Sequence, residues 1–240
     1  MEAREILRGS GILLSISSLP SPYGIGTLGK EAYSFVDLLS DLKQKYWQVL
    51  PVGPTIFGDS PYQPLSGFAG NIYFIDLDKL ADEGLLKKEE ILGYNWGADE
   101  SEIDYAALHQ SRYKILQKAF ERFDTNAQEF QDFVKKHSGW LEQYALFMTL
   151  KTDNLDKNWS EWSNEYRNLQ TVALENYQKK NYNKITFWEF CQYKFFEQWN
   201  DLKDYANSKG IYIIGDISFY VGYDSVDVWA ERQLFMMGAN

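Results

Sequence analysis

Residues 46–71, "YWQVLPVGPTIFGDSPYQPLSGFAGN", run from one kind of chain into another. Tyr46-Trp47-Gln48-Val49-Leu50-Pro51 is an apolar run that reads as a buried strand. The chain then turns glycine-rich and polar, with two ring platforms, Tyr62 and Phe68, set among short hydrogen-bonding side chains. A loop that only connects has no need of that mixture, so a ligand-holding loop is expected at the end of this strand.

Working towards the N-terminus, residues 11–16 read as another strand, continuous enough in apolar character to be covered on both faces. A proline- and glycine-marked loop follows it. Residues 31–43 then place Phe35, Val36, Leu38, Leu39 and Leu42 at helical spacing. Strand, helix, strand is a βαβ unit, which implies parallel pairing and a right-handed crossover.

Towards the C-terminus, residues 71–77 alternate weakly and predict a short strand. From about 100 to 208 the pattern is helical, with Leu108, Ile115, Leu116, Ala119 and Phe120 on one face and Phe130, Phe133 and Val134 opening another. Thr186-Phe187-Trp188-Glu189 has the form of a capping box that opens a last helix, and Lys209-Gly210 closes it. Residues 211–217 predict a third buried strand carrying Asp216. The fold class is therefore α/β, organised as residues 1–70 (first βαβ part and loop), 71–208 (mostly helical insertion) and 209–240 (third strand and following loop).

Ligands of parallel α/β sheets sit at the C-terminal ends of the strands. The loops there offer Asp59, Ser60, Tyr62, Gln63, Asn71, Asp216, Tyr220, Asp224, Ser225 and Asp227. Flat rings beside hydroxyls, amides and carboxylates suit a sugar, which has an apolar face to stack and hydroxyls to bond. The same residues also read as capped turns, and composition alone leaves both open.

Bulk properties narrow the partners. The 240 residues carry a net charge of −10, which repels polyanions and argues against nucleic acid. Aromatics make up 17% of the chain, a share that suits a sugar-binding protein. A lone cysteine, Cys191, forms no intrachain disulfide, and Met1-Glu2-Ala3-Arg4-Glu5 lacks a signal peptide's basic start. A cytoplasmic protein with no membrane association is expected.

Tyr46 to Thr55 followed by Gly58-Asp59-Ser60-Pro61-Tyr62-Gln63 resembles the amylomaltases, the 4-α-glucanotransferases of glycoside hydrolase family 77. Ser17 to Gly26, Tyr144-Ala145-Leu146-Phe147-Met148, Gly215-Asp216-Ile217, Asp224-Ser225 and Val228-Trp229 match in order along the chain. The resemblance is to the N-terminal half of that family. It implies about three strands of a (β/α)₈ TIM barrel with a large helical insertion, with Leu13, Val49 and Ile214 facing the barrel interior. It implies maltooligosaccharides and α-1,4-glucans as partners, no cofactor and no metal. Tyr62 matches the tyrosine that stacks on the sugar at the cleavage point, with Asp59, Ser60 and Gln63 shaping the cleft. Asp216 matches a supporting rather than an attacking aspartate. Phe57 stands where some members have a tyrosine for a second glucan, and Ser218 where many have proline.

The family's Arg-Ile-Asp-His and Glu-Asp-Leu-Gly types of motif, which carry its nucleophile and its acid/base, do not occur in these residues. Retaining transfer needs two carboxyl groups about 5 Å apart. The catalytic pair is accordingly expected beyond Asn240, and the chain by itself is expected to be inactive and prone to self-association through open sheet edges. A non-catalytic glucan-binding remnant and a fragment without function remain the alternatives. Asp224 and Asp227 are expected to cap a short helix, and His109 and His137 to lie on solvated helix faces.

Overall fold

The computed structural model describes residues 8–55, 59–99 and 101–237. Strands β1 (Gly11–Leu13), β2 (Tyr46–Gln48) and β3 (Tyr212–Ile214) form one parallel sheet in the order β1-β2-β3. Helix α1 (Lys30–Asp41) links the first two, as the βαβ reading requires.

Register gives the sheet two unlike faces. Ile12, Trp47 and Ile213 stand side by side, as do Leu13, Gln48 and Ile214 one step on. Successive side chains point to opposite faces, so these two rows lie on opposite sides. On one side Trp47 is fully buried, with the Phe35 ring of α1 edge-on at 5.0 Å and its indole N–H donating to the Leu14 carbonyl at 2.9 Å. On the other, Leu13 is 57% and Ile214 43% exposed. The expected cover on both faces is therefore found on one alone, and there over β2 rather than β1, whose Ile12 is exposed. Val49, expected to share a face with Leu13 and Ile214, lies one residue beyond Gln48 and so takes the covered side, where it is buried.

Between β2 and β3 run α2 (Leu77–Asp82), α3 (Lys88–Leu92), α4 (Tyr105–Phe120), α5 (Gln128–Asp153), α6 (Asn164–Arg167), α7 (Thr171–Lys180) and α8 (Tyr182–Ser208). The last helix, α9 (Val226–Ala230), follows β3. Helices α5 and α8 pack along each other, and α8 also reaches α1 and β3. Leu108, Ile115, Leu116 and Ala119 of α4 are all buried, as their spacing predicts. Each leucine or isoleucine sealed in this way stabilises the fold by roughly 1.5–3 kcal/mol. Helix α1 is tied to α8 at its outer edge, where Asp37 accepts bonds from the Tyr205 hydroxyl at 2.7 Å and from Lys209 at 2.9 Å.

Several local expectations give way to side-chain chemistry. Residues 71–77 do not form a strand. Asn71 accepts the Tyr73 N–H at 2.9 Å to close a 3₁₀ turn over Ile72–Phe74, and Asp76 caps α2 by accepting the Lys79 N–H at 3.0 Å. Such local bonds give the backbone an alternative to strand pairing. Helix α8 starts at Tyr182, ahead of the predicted Thr186 cap, with the Ile185 N–H already donating to the Asn181 carbonyl at 3.1 Å. It ends as predicted, with Gly210 in the left-handed region at φ 74°. His109 is exposed on α4, whereas His137 on α5 is half-buried against Phe133 and Phe196 rather than solvated, with ring centroids 4.6 and 6.0 Å away.

Candidate sugar-binding site

The loops after β2 and β3 leave the same end of the parallel sheet. The first is pinched at its neck, where Thr55 and Pro64 form an isolated antiparallel bridge and the Leu65 N–H donates to the Pro54 carbonyl at 2.9 Å. Ser60 turns the tip, its Oγ accepting the Tyr62 N–H and its carbonyl the Gln63 N–H, both at 3.3 Å. Asp59 enters that turn in the left-handed region at φ 54°. Burial pushes its carboxyl up; burial first, and the Asp59 charge second, raise the hydroxyls of Tyr73, to about 12, and of Tyr105. The Gln63 side chain is exposed. Phe57, together with Gly58, lies outside the described residues.

Tyr62 crosses to the other loop. Its hydroxyl donates to Asp216 Oδ2 at 2.8 Å, joining positions 154 residues apart. The Ile217 N–H donates to Asp216 Oδ1 at 2.8 Å, so both carboxylate oxygens are engaged. The nearby carboxylate disfavours a phenolate and pushes the Tyr62 hydroxyl up, keeping it protonated as the donor. A second clasp lies alongside, where the Ser218 hydroxyl donates to the Pro61 carbonyl at 3.1 Å. Proline at 218 could not make this bond, so the serine noted in the sequence has a defined role here. Tyr62 remains 43% exposed, leaving ring area free to stack. The result is an open, polar shelf bearing one aromatic ring and one oriented carboxylate.

The other nominated residues are not brought to this shelf. Ser225, not either aspartate, caps α9 through its Oγ, which accepts the Val228 N–H at 3.3 Å. Asp224 takes Lys151 Nζ at 2.5 Å and the Trp159 N–H at 3.2 Å, fastening the end of α5 to the loop after β3. Asp227 Oδ2 accepts the Gly67 N–H at 3.0 Å. Both aspartates therefore bind distant backbone or cations instead of capping α9, which Asp224 precedes and Asp227 lies within. Tyr220 is 80% exposed.

Sequence reading missed the groups that hold the shelf from behind. Gln192 of α8 accepts the Gly70 N–H at 2.8 Å and donates to its carbonyl at 3.0 Å, and Gln198 does the same for Asp76 at 2.7 and 3.2 Å. Arg112 is fully buried, donating to the Ile75 and Tyr23 carbonyls at 3.0 and 3.4 Å, and burial lowers its guanidinium to about 10. Their signal in the sequence was a polar residue on an apolar helical face, which by itself gives no partner. Among the described residues no cluster of histidine, cysteine or carboxylates suits a metal, and no helix is long and apolar enough to cross a membrane.

A family profile described as 4-alpha-glucanotransferase matches residues 14–240. The chain belongs to this family. It is 45% identical over 238 residues to the 4-alpha-glucanotransferase of Streptococcus pneumoniae, covering 97% of this chain and 47% of that one. The 4-alpha-glucanotransferase of Clostridium butyricum is 44% identical over 225 residues, with 93% and 46% covered. Among solved structures, the amylomaltase of Streptococcus agalactiae, in complex with acarbose, superposes with a TM-score of 0.92 at 42% identity, covering 97% of this chain and 48% of that one. The chain thus spans about half the length of the 4-alpha-glucanotransferases it matches, and it shares their amylomaltase-like fold.

Proposed function

We propose that this chain supplies the glucan-holding half of a 4-α-glucanotransferase, with Tyr62 as the sugar platform and Asp216 as the group that orients it. The observation that carries the reading is the 2.8 Å bond from the Tyr62 hydroxyl to Asp216, which clasps the two strand-end loops into one shelf. A ring fixed in direction can stack on a pyranose face without first losing rotamer freedom. Ser60, Gln63 and Asp59 complete the rim by shaping the turn, and Phe57 is assigned to a more distant glucan contact.

The same reading treats β1, β2 and β3 as the first three staves of a (β/α)₈ barrel, whose interior would be lined by Leu13, Gln48 and Ile214. Residues 71–208 then form an insertion carried by that barrel, between the βαβ part of 1–70 and the third strand in 209–240. α-1,4-Glucans are the proposed partners, supported by the acarbose bound to the Streptococcus agalactiae relative.

Retaining transfer needs one carboxylate to attack the anomeric carbon and another carboxyl to protonate the leaving oxygen. Asp216 is read as neither, in keeping with the supporting aspartate it resembles, and its bonds from Tyr62 and Ile217 fit an orienting role. The reading gives this chain binding without turnover. Calorimetric titration with maltoheptaose should detect binding that Tyr62→Ala weakens about fivefold, the effect of one lost stacking ring. Equal affinity in Tyr62→Ala removes the platform role. Incubation of the 240-residue chain with maltotriose should release no glucose; protein-dependent glucose together with longer maltodextrins would assign it a catalytic pair.

A further inference from the structure

Beyond the Tyr62 shelf, the back of the same loop presents a second aromatic ring whose exposure the fold does not explain. Phe68 is 64% exposed, yet the segment that carries it is fixed. Ser66 Oγ accepts the N–H groups of Phe68 and Ala69 at 3.1 and 3.2 Å, and Asp227 takes the Gly67 N–H at 3.0 Å. The Val226 N–H donates to the Leu65 carbonyl at 2.9 Å, and Gln192 holds Gly70 beyond. Five neighbouring anchors therefore present one large apolar side chain to solvent in a defined direction.

Phe68 has a partner in that direction. The Trp140 ring of α5 lies 6.3 Å away, with its plane only 18° from that of Phe68. The two rings border a pocket of about 420 Å³ that Gln143, Asp227 and Glu231 line on its polar side and Val226, Leu234 and Phe235 on its apolar side. The amide of Gln143 can donate and accept, while the carboxylates accept only. Asp227 spends Oδ2 on Gly67, and burial pushes its carboxyl up. Near-parallel apolar ring faces with hydrogen-bonding groups at their rim match a pyranose, which is apolar on its faces and polar round its edge. A phosphate or nucleotide would meet two carboxylates and no cation among these groups.

We propose that Phe68 and Trp140 form a second glucan-binding site, separate from the Tyr62 shelf, which takes one or two further sugar units of an α-1,4-glucan. This rests on the reading of α-glucans as ligands of the chain. Because Phe68 and Tyr62 sit on one loop, a single long glucan occupying both would gain by effective concentration, whereas a short one would occupy them independently.

The test follows the Trp140 indole N–H by ¹H–¹⁵N NMR in the 240-residue chain, the resonance being identified by its loss in Trp140→Phe. Maltoheptaose should shift it in a saturable way. Phe68→Ala should weaken that response about fivefold, and Phe68→Tyr, which keeps the ring, should restore it. Tyr62→Ala should leave the Trp140 response to maltose unchanged. Far-UV circular dichroism of each variant checks that the fold is kept, and Asp227→Asn, which retains the acceptor for Gly67, gives an independent perturbation of the same pocket. If maltoheptaose shifts resonances around Tyr62 and Asp216 but not Trp140, the second site is overturned and the shelf stands. If it shifts nothing, both readings fall.

Discussion

Tyr62 and Gly70 belong to one loop, and they are held in opposite ways. Tyr62 is 43% exposed, and its side chain is tied by one hydrogen bond to an aspartate on a neighbouring loop. Gly70 is buried, its N–H and carbonyl both bonded to the Gln192 amide, with the Phe195 ring pressed against its Cα. The contrast separates two tasks. The buried half of the loop sets position, because an unpaired polar group there carries a large penalty and only one arrangement satisfies it. The exposed half keeps its ring and carboxylate available, because water can stand in for any bond a ligand displaces.

The largest expected effect comes from breaking the buried half. Gln192→Leu keeps the volume near that of glutamine but leaves both backbone groups of Gly70 unpaired, and each such group costs about 1–3 kcal/mol. A loss of about 3 kcal/mol in urea-unfolding free energy is expected. An unchanged midpoint would mean that water or a neighbour replaces the amide, and the distinction between the halves would weaken.

Next is Gly70→Ala. A Cβ at this position would meet the Phe195 ring at 2.0 Å, far inside contact distance, so the ring or the α8 backbone has to move. Overpacking of this kind costs about 2 kcal/mol. The matching change in the exposed half, at Gly67, meets only an Asp227 oxygen at 3.5 Å. Gly67→Ala should therefore be nearly neutral by the same measurement, and equal losses at the two glycines would break the comparison.

A smaller effect concerns charge on the bracing helix. Glu189 of α8 is raised to about 6 by burial and by its neighbour Glu142, above the ordinary 4.5. The folded chain thus binds this proton more tightly than the unfolded one. Its contribution to stability is fully present below the unfolded value and is lost as pH rises through the folded one. Between about pH 4.5 and 6 the loss should be about 1 kcal/mol, allowing for solvent screening of a half-buried group. Glu189→Gln should flatten that part of the stability profile, and an unaltered slope would assign it to other groups.

The two halves also differ in how far the sequence revealed them. Tyr62 and Asp216 were legible as candidates because an α/β sheet puts its ligand groups at strand ends, and strands 46–51 and 211–217 were marked by apolar runs; the bond between them was not foreseen. The same runs misled on burial. A strand with one bare face reads like one covered on both, since leucine and isoleucine stand at Leu13 and Ile214 either way. The braces were not legible at all. Gln192 and Gln198 are two polar residues on a long helix, and only the folded chain brings Gly70 and Asp76 to them, each 122 positions away. Asp224 and Asp227 went astray for the same reason. A carboxylate at the start of a helix predicts a cap, but Lys151 and the Gly67 N–H offered partners that no local pattern encodes.

The smallest effect on stability, and the sharpest test of the division of labour, is expected from Tyr62→Phe. This change deletes the hydroxyl that donates to Asp216 but keeps the ring. An exposed bond between groups that water can solvate contributes little to folding, so the urea midpoint should not move measurably. The loops also keep their second clasp from Ser218 to Pro61. The consequence should fall on ligand binding. Without its bond the ring gains rotamer freedom that a sugar must then remove, so maltoheptaose should bind more weakly than to the parent chain, yet more tightly than to Tyr62→Ala, which has no ring to order. Three affinities in that order, with unchanged unfolding midpoints for the parent and Tyr62→Phe, would place the hydroxyl's role in orientation. Substantial unfolding of Tyr62→Phe would instead show that the exposed half is braced like the buried one. Identical affinities for Tyr62→Phe and Tyr62→Ala would make the hydroxyl the contact and remove stacking from the account.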